Sequence, residues 1–249
     1  MRFDVLTLFP ELFEPFFHNG VTRRAYESRQ VDVRLWQLRD FADDPYRRVD
    51  DRPYGGGPGM VMLVEPLERA LAAVRADQAE SSRRLPVIHF SPAGVPMTQA
   101  RVRQLAEGPG AVLLCGRYEG IDHRFIQRHV DEEISLGDFV LSGGELPALA
   151  LLDAVTRLQP GVLNDAASHQ QDSFSDGLLD CPHYSRPEQL GDDAVPEVLL
   201  SGHHGRIARW RREQQLLITA RRRPDMIASA RAAGSLSAAD ERWLRENGL

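Results

Sequence analysis

Over the first 160 residues, short β-rich runs alternate with helix-like segments, and turn-forming residues punctuate the changes between them. Strand-like runs lie at Arg2–Phe9, Val31–Leu38, Leu85–Ser91, Ala111–Cys115 and Glu133–Leu136. Apolar spacing predicts a helix from about Pro66 through Leu67, Ala70, Leu71 and Val74. A second helix is expected from a Thr98 N-cap to Gly108, and a third over Glu145–Leu158, ahead of Pro160-Gly161. Strands separated by helices pair in parallel through crossovers, and such sheets are covered on both faces. The expected class is α/β with a mainly parallel sheet.

The pattern then breaks. Residues 162–176 (VLNDAASHQQDSFSD) are polar and aperiodic, as a linker is. A Pro-punctuated stretch follows, from Cys181-Pro182 to Pro196, and helical patterns run to the end. A helix near 204–222 is expected to put Ile207, Trp210 and Leu217 on one face, and Ser237 to cap a last helix containing Trp243. The expected organisation is a domain over 1–161, a linker over 162–176 and a small, mostly helical domain over 177–249. No internal repeat is visible.

All 30 basic residues of the 249 are Arg, which excludes a Walker phosphate loop, a pyridoxal Schiff base and a Lys general base. The net charge of −6 hides an asymmetry. Residues 206–223 hold seven Arg against Glu213 alone, whereas residues 1–200 carry 20 Arg against 31 acids. A basic segment on an acidic body is either a solvated helix face or the footprint of a polyanionic partner. No apolar run approaches the roughly 18 residues of a membrane span, and MRFDVLTLFP reads as a strand with no cleavage signature. Cys115 and Cys181 make no disulfide framework. The expected location is the cytoplasm.

Four segments are richer in Gly and polar residues than packing requires. Asp50 to Met60 (DDRPYGGGPGM) has an open backbone, which on composition alone is as well explained by a surface turn. Gly116 to Asp122 follows an apolar strand, where open α/β sheets bind ligands. Ser135 to Glu145 leads into a helix whose first amides are free to hold a ligand. The last, Gln170 to Phe174 with Leu178 to Tyr184, contains Asp172, a solvated loop carboxylate unless something binds beside it. Neither of the two loops that follow strands is GxGxxG, so a dinucleotide fold finds no support. His203-His204 and the pair His123 and His129 have poor metal spacing, and Ser142 lacks a nucleophile elbow.

Together these segments resemble the bacterial tRNA (guanine-N1)-methyltransferases that act at position 37. The matching strings are PYGGGPGM (53–60), HFSP (89–92), GRYEGID (116–122), SLGDFVLSGGELPA (135–148), RLQPGVL (157–163), DSFSDGLLDCPHYSRP (172–187) and VLLSGHHGRIARWR (198–211). They span most of the chain in family order. The resemblance implies a knotted α/β fold of the SPOUT class, a homodimer with its active site at the interface, and S-adenosylmethionine as methyl donor.

By the same resemblance the donor is held by three loops. These are His89, Phe90 and Ser91; then Gly116, Tyr118, Glu119, Gly120 and Ile121; then Ser135, Leu136, Gly137, Phe139, Leu141, Gly143, Gly144 and Pro147. The family's first loop usually reads Tyr-Leu-Ser, so His89 and Phe90 depart from it in side chain. Asp172 matches the residue that takes the proton from guanine N1, and Arg157 the one that meets charge on O6. Asp180 matches an acid that supports guanine binding, and Glu119 is expected near the sulfonium or the base. Magnesium is associated with the family, with no ligand set legible here. Arg209, Arg212, Arg221, Arg222 and Arg223 would then contact tRNA phosphates. A knotted enzyme acting on a ribose hydroxyl would not need DSFSDGLLDCPHY, and a non-catalytic tRNA binder would not need Asp172 and Arg157.

Overall fold

Five strands form one sheet: β1 (Arg2–Thr7), β2 (Asp32–Gln37), β3 (Val87–Pro96), β4 (Gly110–Leu114) and β5 (Glu132–Ser135). Their order is β2-β1-β4-β3-β5, and every neighbouring pair is parallel. The structure is a computed structural model describing residues 1–79, 84–163 and 171–249. Between and after the strands lie α1 (Val64–Asp77), α2 (Gln99–Ala106), α3 (His123–His129) and α4 (Glu145–Thr156). Among the described residues no helix is long and apolar enough to cross a membrane.

Strand periodicity sorts the core into two layers. Phe3 and Val5 point to one face with Ile88 and Leu113, against Val102 and Leu105 of α2 and Ala148, Leu151 and Val155 of α4. Leu6 points to the other face with Val87, Val112 and Leu114, against Leu67, Ala70, Leu71 and Val74 of α1 and Phe125 of α3. Burial of each large apolar side chain contributes about 1.5–3 kcal/mol. Helix α1 starts at Val64, two residues before the expected start, so Pro66 stands in its first turn. Thr98 caps α2 as expected, its Oγ1 accepting from the Arg101 amide at 3.3 Å. Helix α4 stops at Thr156, with Arg157 as its C-cap.

Strand β3 does not end at Ser91. Its ladder with β5 breaks after Phe90 and resumes at Val95, so residues 91–94 bulge from the sheet. Gly94 permits this, because a Cβ there would sit 2.5 Å from the Glu133 carbonyl carbon.

The chain divides into two compact units, Met1–Asn164 and Asp165–Leu249. The second is built from α5 (His204–Arg222), α6 (Pro224–Ala232) and α7 (Ala238–Glu246) around Leu178, Leu216, Ile227 and Leu244. Ser237 caps α7 in a capping box with Asp240. The buried residues of α5 are Leu216 and Thr219, while Ile207, Trp210 and Leu217, expected to share one face, stay partly exposed. Thr219 Oγ1 accepts the Leu179 amide at 2.9 Å, tying α5 to the loop before it. A short hairpin, Gln189–Leu190 with Asp193–Ala194, was not expected in the Pro-punctuated stretch. Of the expected linker 162–176, residues 164–170, with Gln170, lie outside the described residues. Cys115 and Cys181 are free thiols.

Candidate active site

Because β4, β3 and β5 are neighbours, the loops at their carboxyl ends converge. They enclose a cavity of about 310 Å³. His89, Phe90 and Ser91 line it from β3, and Gly116, Tyr118, Glu119 and Gly120 from the loop after β4. Ser135, Leu136, Gly137, Phe139, Leu141, Gly143, Gly144 and Pro147 line it from β5 and the start of α4. Ile121 does not: it is 7% exposed, turned into the core beneath and bridged through its backbone to Met62. The cavity also takes in Pro92, Arg117, Ile134, Val140 and Ser142, none of them named among the expected donor contacts, although Arg117, Val140 and Ser142 stand inside the Gly-rich loops. Arg117 was the most legible of these, standing inside GRYEGID between two lining residues.

Glycine is dictated by close approach at the helix end of the cavity. A Cβ on Gly144 would meet the Cys115 Cα at 2.7 Å and the Gly116 nitrogen at 3.0 Å. The Gly144 amide instead donates to the Gly116 carbonyl at 2.9 Å, closing the start of α4 onto the end of β4. On Gly143 a Cβ would lie 2.3 Å from Arg117 Nε. Two walls of the cavity are therefore bare backbone.

Arg117 and Glu145 hold these walls together. Arg117 Nε donates to Glu145 Oε2 at 2.9 Å, Nη1 donates to the Ser142 carbonyl at 3.2 Å, and the guanidinium lies 4.4 Å from the Phe9 ring centroid. Glu145, 1% exposed, also accepts from Thr7 Oγ1 at 2.8 Å, so the end of β1 joins the same network. Beneath it the Cys115 thiol is fully buried. Burial, with the Glu145 charge, raises its pKa well above 9.0 against the pull of Arg117. That thiol stays protonated and inert.

The PYGGGPGM segment braces the site without lining it. The Glu119 amide donates to the Met60 carbonyl at 3.0 Å and the Met62 amide to the Gly120 carbonyl at 2.9 Å. Tyr118, at φ +61°, turns the loop outward and leaves the Glu119 side chain exposed. His89 is 6% exposed, with Nδ1 3.2 Å from Glu133 Oε2. Burial lowers its pKa, against the opposing carboxylate, so the ring is neutral at pH 7.

The other named residues lie elsewhere. Arg157 stands at the C-cap of α4, twelve helical residues from the cavity end at Gly144, or roughly 18 Å at 1.5 Å per residue. Asp172 and Asp180 belong to one closed loop of the second unit. There the Phe174 amide donates to the Leu178 carbonyl at 2.7 Å and the Asp180 amide to Ser173 Oγ at 2.9 Å. Burial opposes ionisation of Asp180, but bonds from His183 Nε2 at 2.9 Å and the Cys181 amide at 2.7 Å outweigh it and lower the pKa. Ligand atoms of Asp180, Cys181 and His183 lie within 4.8 Å of one another. Magnesium takes oxygen ligands in an octahedron, and a thiol, an imidazole and one carboxylate do not fit it.

Along α5 the arginines differ. Arg209 pairs with Glu213 at 2.8 Å and Arg223 with Asp225 at 2.7 Å. Arg212 is held by Asp176 at 2.6 Å and Asp240 at 3.1 Å, so its charge already serves the unit's own packing. Arg221 and Arg222 are exposed and have no ion-pair partner among the described residues.

The first unit thus presents bare backbone amides and carbonyls between apolar walls. The family model for tRNA (Guanine-1)-methyltransferase TrmD matches residues 1–229. A tRNA (guanine-N(1)-)-methyltransferase of Leptothrix cholodnii is 83% identical over 247 residues, covering 98% of each chain. One of Methylibium petroleiphilum is 76% identical over 249 residues, covering 98% of this chain and 97% of its own. One of Paracidovorax citrulli is 64% identical over 254 residues, covering both chains fully. The chain belongs to the tRNA (guanine-N1)-methyltransferase family, an enzyme family of the SPOUT class.

Proposed function

We propose that the chain methylates N1 of guanine 37 in tRNA, beside the anticodon, using S-adenosylmethionine, and that it does so as a cytoplasmic homodimer with a knotted catalytic domain over 1–161. The observation that carries this reading is the cavity of about 310 Å³ walled by bare backbone at Gly116, Gly143 and Gly144. The domain over 177–249 and the linker before it serve the RNA. Bound in the cavity, S-adenosylmethionine supplies a methyl group activated by its sulfonium. The chain's own residues do the rest.

As the N1–methyl bond forms, the proton on guanine N1 must leave. Asp172 accepts it as general base, a role commonly contributing ~10²–10⁴ in rate. Charge then moves toward guanine O6, where the Arg157 guanidinium donates to it. Asp180, fixed by His183 and the Cys181 amide, orients the base. Glu119 presents its exposed carboxylate at the rim, where it favours the cationic methyl donor. The separation of Arg157 from the cavity along α4 argues that two chains build each site: one gives the three loops, the other Arg157 and Asp172. Phosphate contacts come from α5 and the residue after it, with Arg221 and Arg222 available and the exposed Arg209 and Arg223 able to exchange their carboxylate partners for phosphate. Arg212 joins them only at the cost of its two aspartates.

The test is methyl incorporation from labelled donor into a transcript with G37 and into the same transcript with A37. Labelling confined to the G37 transcript is expected, and equal labelling of both would overturn the assignment.

A further inference from the structure

In the second unit a separate cavity of about 370 Å³ opens beside α5. Tyr184 and Trp210 wall it, and Ile207, Leu199 and Val195 add apolar surface. The two rings lie 6.2 Å apart at 56°, so they form a corner and not a sandwich. Tyr184 is 50% exposed, and Trp210 is only partly covered although it stands on the helix that carries the unit's core. Among the described residues neither the Tyr184 hydroxyl nor Trp210 Nε1 has a hydrogen-bond partner. Arg186 and Arg211 line the same cavity, both exposed and both without an ion-pair partner among the described residues. They contrast with Arg209, Arg212 and Arg223, each matched to a carboxylate of its own unit.

We propose that the Tyr184–Trp210 corner is a nucleobase pocket, receiving one unstacked base from the single-stranded loop of the bound RNA. It rests on the reading that this chain acts on tRNA, and it adds a second point of base capture outside the methylation site. Bases splayed from an RNA loop stack on aromatic faces, while their phosphates follow basic side chains. The corner supplies one ring face for stacking and a second ring at the base edge, with a phenol and an indole N–H as free hydrogen-bonding groups. Arg186 and Arg211 supply the two charges for the flanking phosphates. Glu188, also in the lining, accepts from the amino and imino groups of a base edge and repels phosphate, which sets the base inward and the backbone at the arginines. A paired duplex cannot present such a base.

The experiment uses full-length protein with Trp36→Phe and Trp243→Phe, leaving Trp210 as reporter, and no methyl donor. Titration with an RNA hairpin carrying an open loop should quench Trp210; a fully paired RNA of equal length should not. By filter binding, Tyr184→Ala and Trp210→Ala should each weaken hairpin affinity by roughly 5- to 150-fold, as loss of one base stack does, leaving the salt dependence unchanged. Trp210→Phe should keep most of the affinity. Arg211→Ala should reduce the log–log salt slope by about 0.7–0.9. Equal quenching by hairpin and duplex, wild-type affinity in both Ala variants, or a change in oligomeric state in place of RNA affinity would each overturn the pocket. Since no methyl transfer is read, failure here is separable from failure of the G37 assay.

Discussion

Gly143→Ala should damage the protein through a side chain, not through its own backbone. The added Cβ falls 2.3 Å from Arg117 Nε and 2.5 Å from its Cδ, so Arg117 must move by about 1 Å or more to restore ordinary contact. That side chain is pinned at three points: Glu145 at 2.9 Å, the Ser142 carbonyl at 3.2 Å and the Phe9 ring at 4.4 Å. Displacing it leaves Glu145, 1% exposed, with only the Thr7 hydroxyl at 2.8 Å among the described residues. Losing a charged hydrogen bond costs about 1.5–3 kcal/mol, and losing the cation–π contact about 0.5–1 more. We expect a loss of ~2–4 kcal/mol in the unfolding of the first unit, followed in urea by Trp36 of β2. Arg117→Ala alone should cost a similar amount. In the double variant, Gly143→Ala should add less than about 0.5 kcal/mol, because the group it displaces is gone. Simple additivity of the two losses, or a neutral Gly143→Ala, would refute the clash.

Three further outcomes follow from the same geometry. Asp172→Asn should slow single-turnover methyl transfer by ~10²–10⁴ with donor affinity nearly unchanged; collapse of donor affinity with normal chemistry would make the residue structural. Arg221→Ala with Arg222→Ala should lower the salt slope of tRNA binding by roughly 0.7–0.9 per lost phosphate contact, and an unchanged slope would return α5 to a solvated face. In the second unit, burial opposes ionisation of Asp240, but bonds from Arg212 and Ser237 outweigh it and lower its pKa below the ordinary 3.8. Its stabilisation is therefore full above that value and is lost as pH falls through the lower folded value. Arg212→Ala should move acid unfolding of α7, followed by Trp243 fluorescence, toward pH 3.8, and an unmoved acid midpoint would remove Arg212 from that role.

Much of the fold was legible because its signals are local. Apolar runs closed by turn residues located all five strands of the main sheet, and Thr98 and Ser237 carried their caps in their own chemistry. Strand order was not legible, since parallel neighbours are chosen by packing far along the chain. The extension of β3 to Pro96 was hidden because the bulge at 91–94 interrupts the alternation that marks a strand. On α5 the spacing put Ile207, Trp210 and Leu217 on one face but did not say which residues would be buried. The core formed where Leu216 and Thr219 meet the loop through Leu178 and Leu179, and Ile207 and Trp210 were left to line a cavity. The glycine loops announced a pocket, but the reason for Gly143 and Gly144 lies in Arg117 and Cys115, more than 25 residues away. Arg212 read as one more cation of a basic helix, because Asp176 and Asp240, its partners, are distant in sequence.

Whether two chains build each site is tested most directly by mixed dimers. If the proposed roles hold, Gly143→Trp blocks donor binding and Asp172→Ala removes the base, so each homodimer should be inactive. In a heterodimer of the two, one site collects both defects and the other is wild type. Random one-to-one exchange makes half the dimers mixed, so about a quarter of wild-type methyl transfer should return. Mixed dimers isolated through two affinity tags and showing no activity would contradict a site shared between chains.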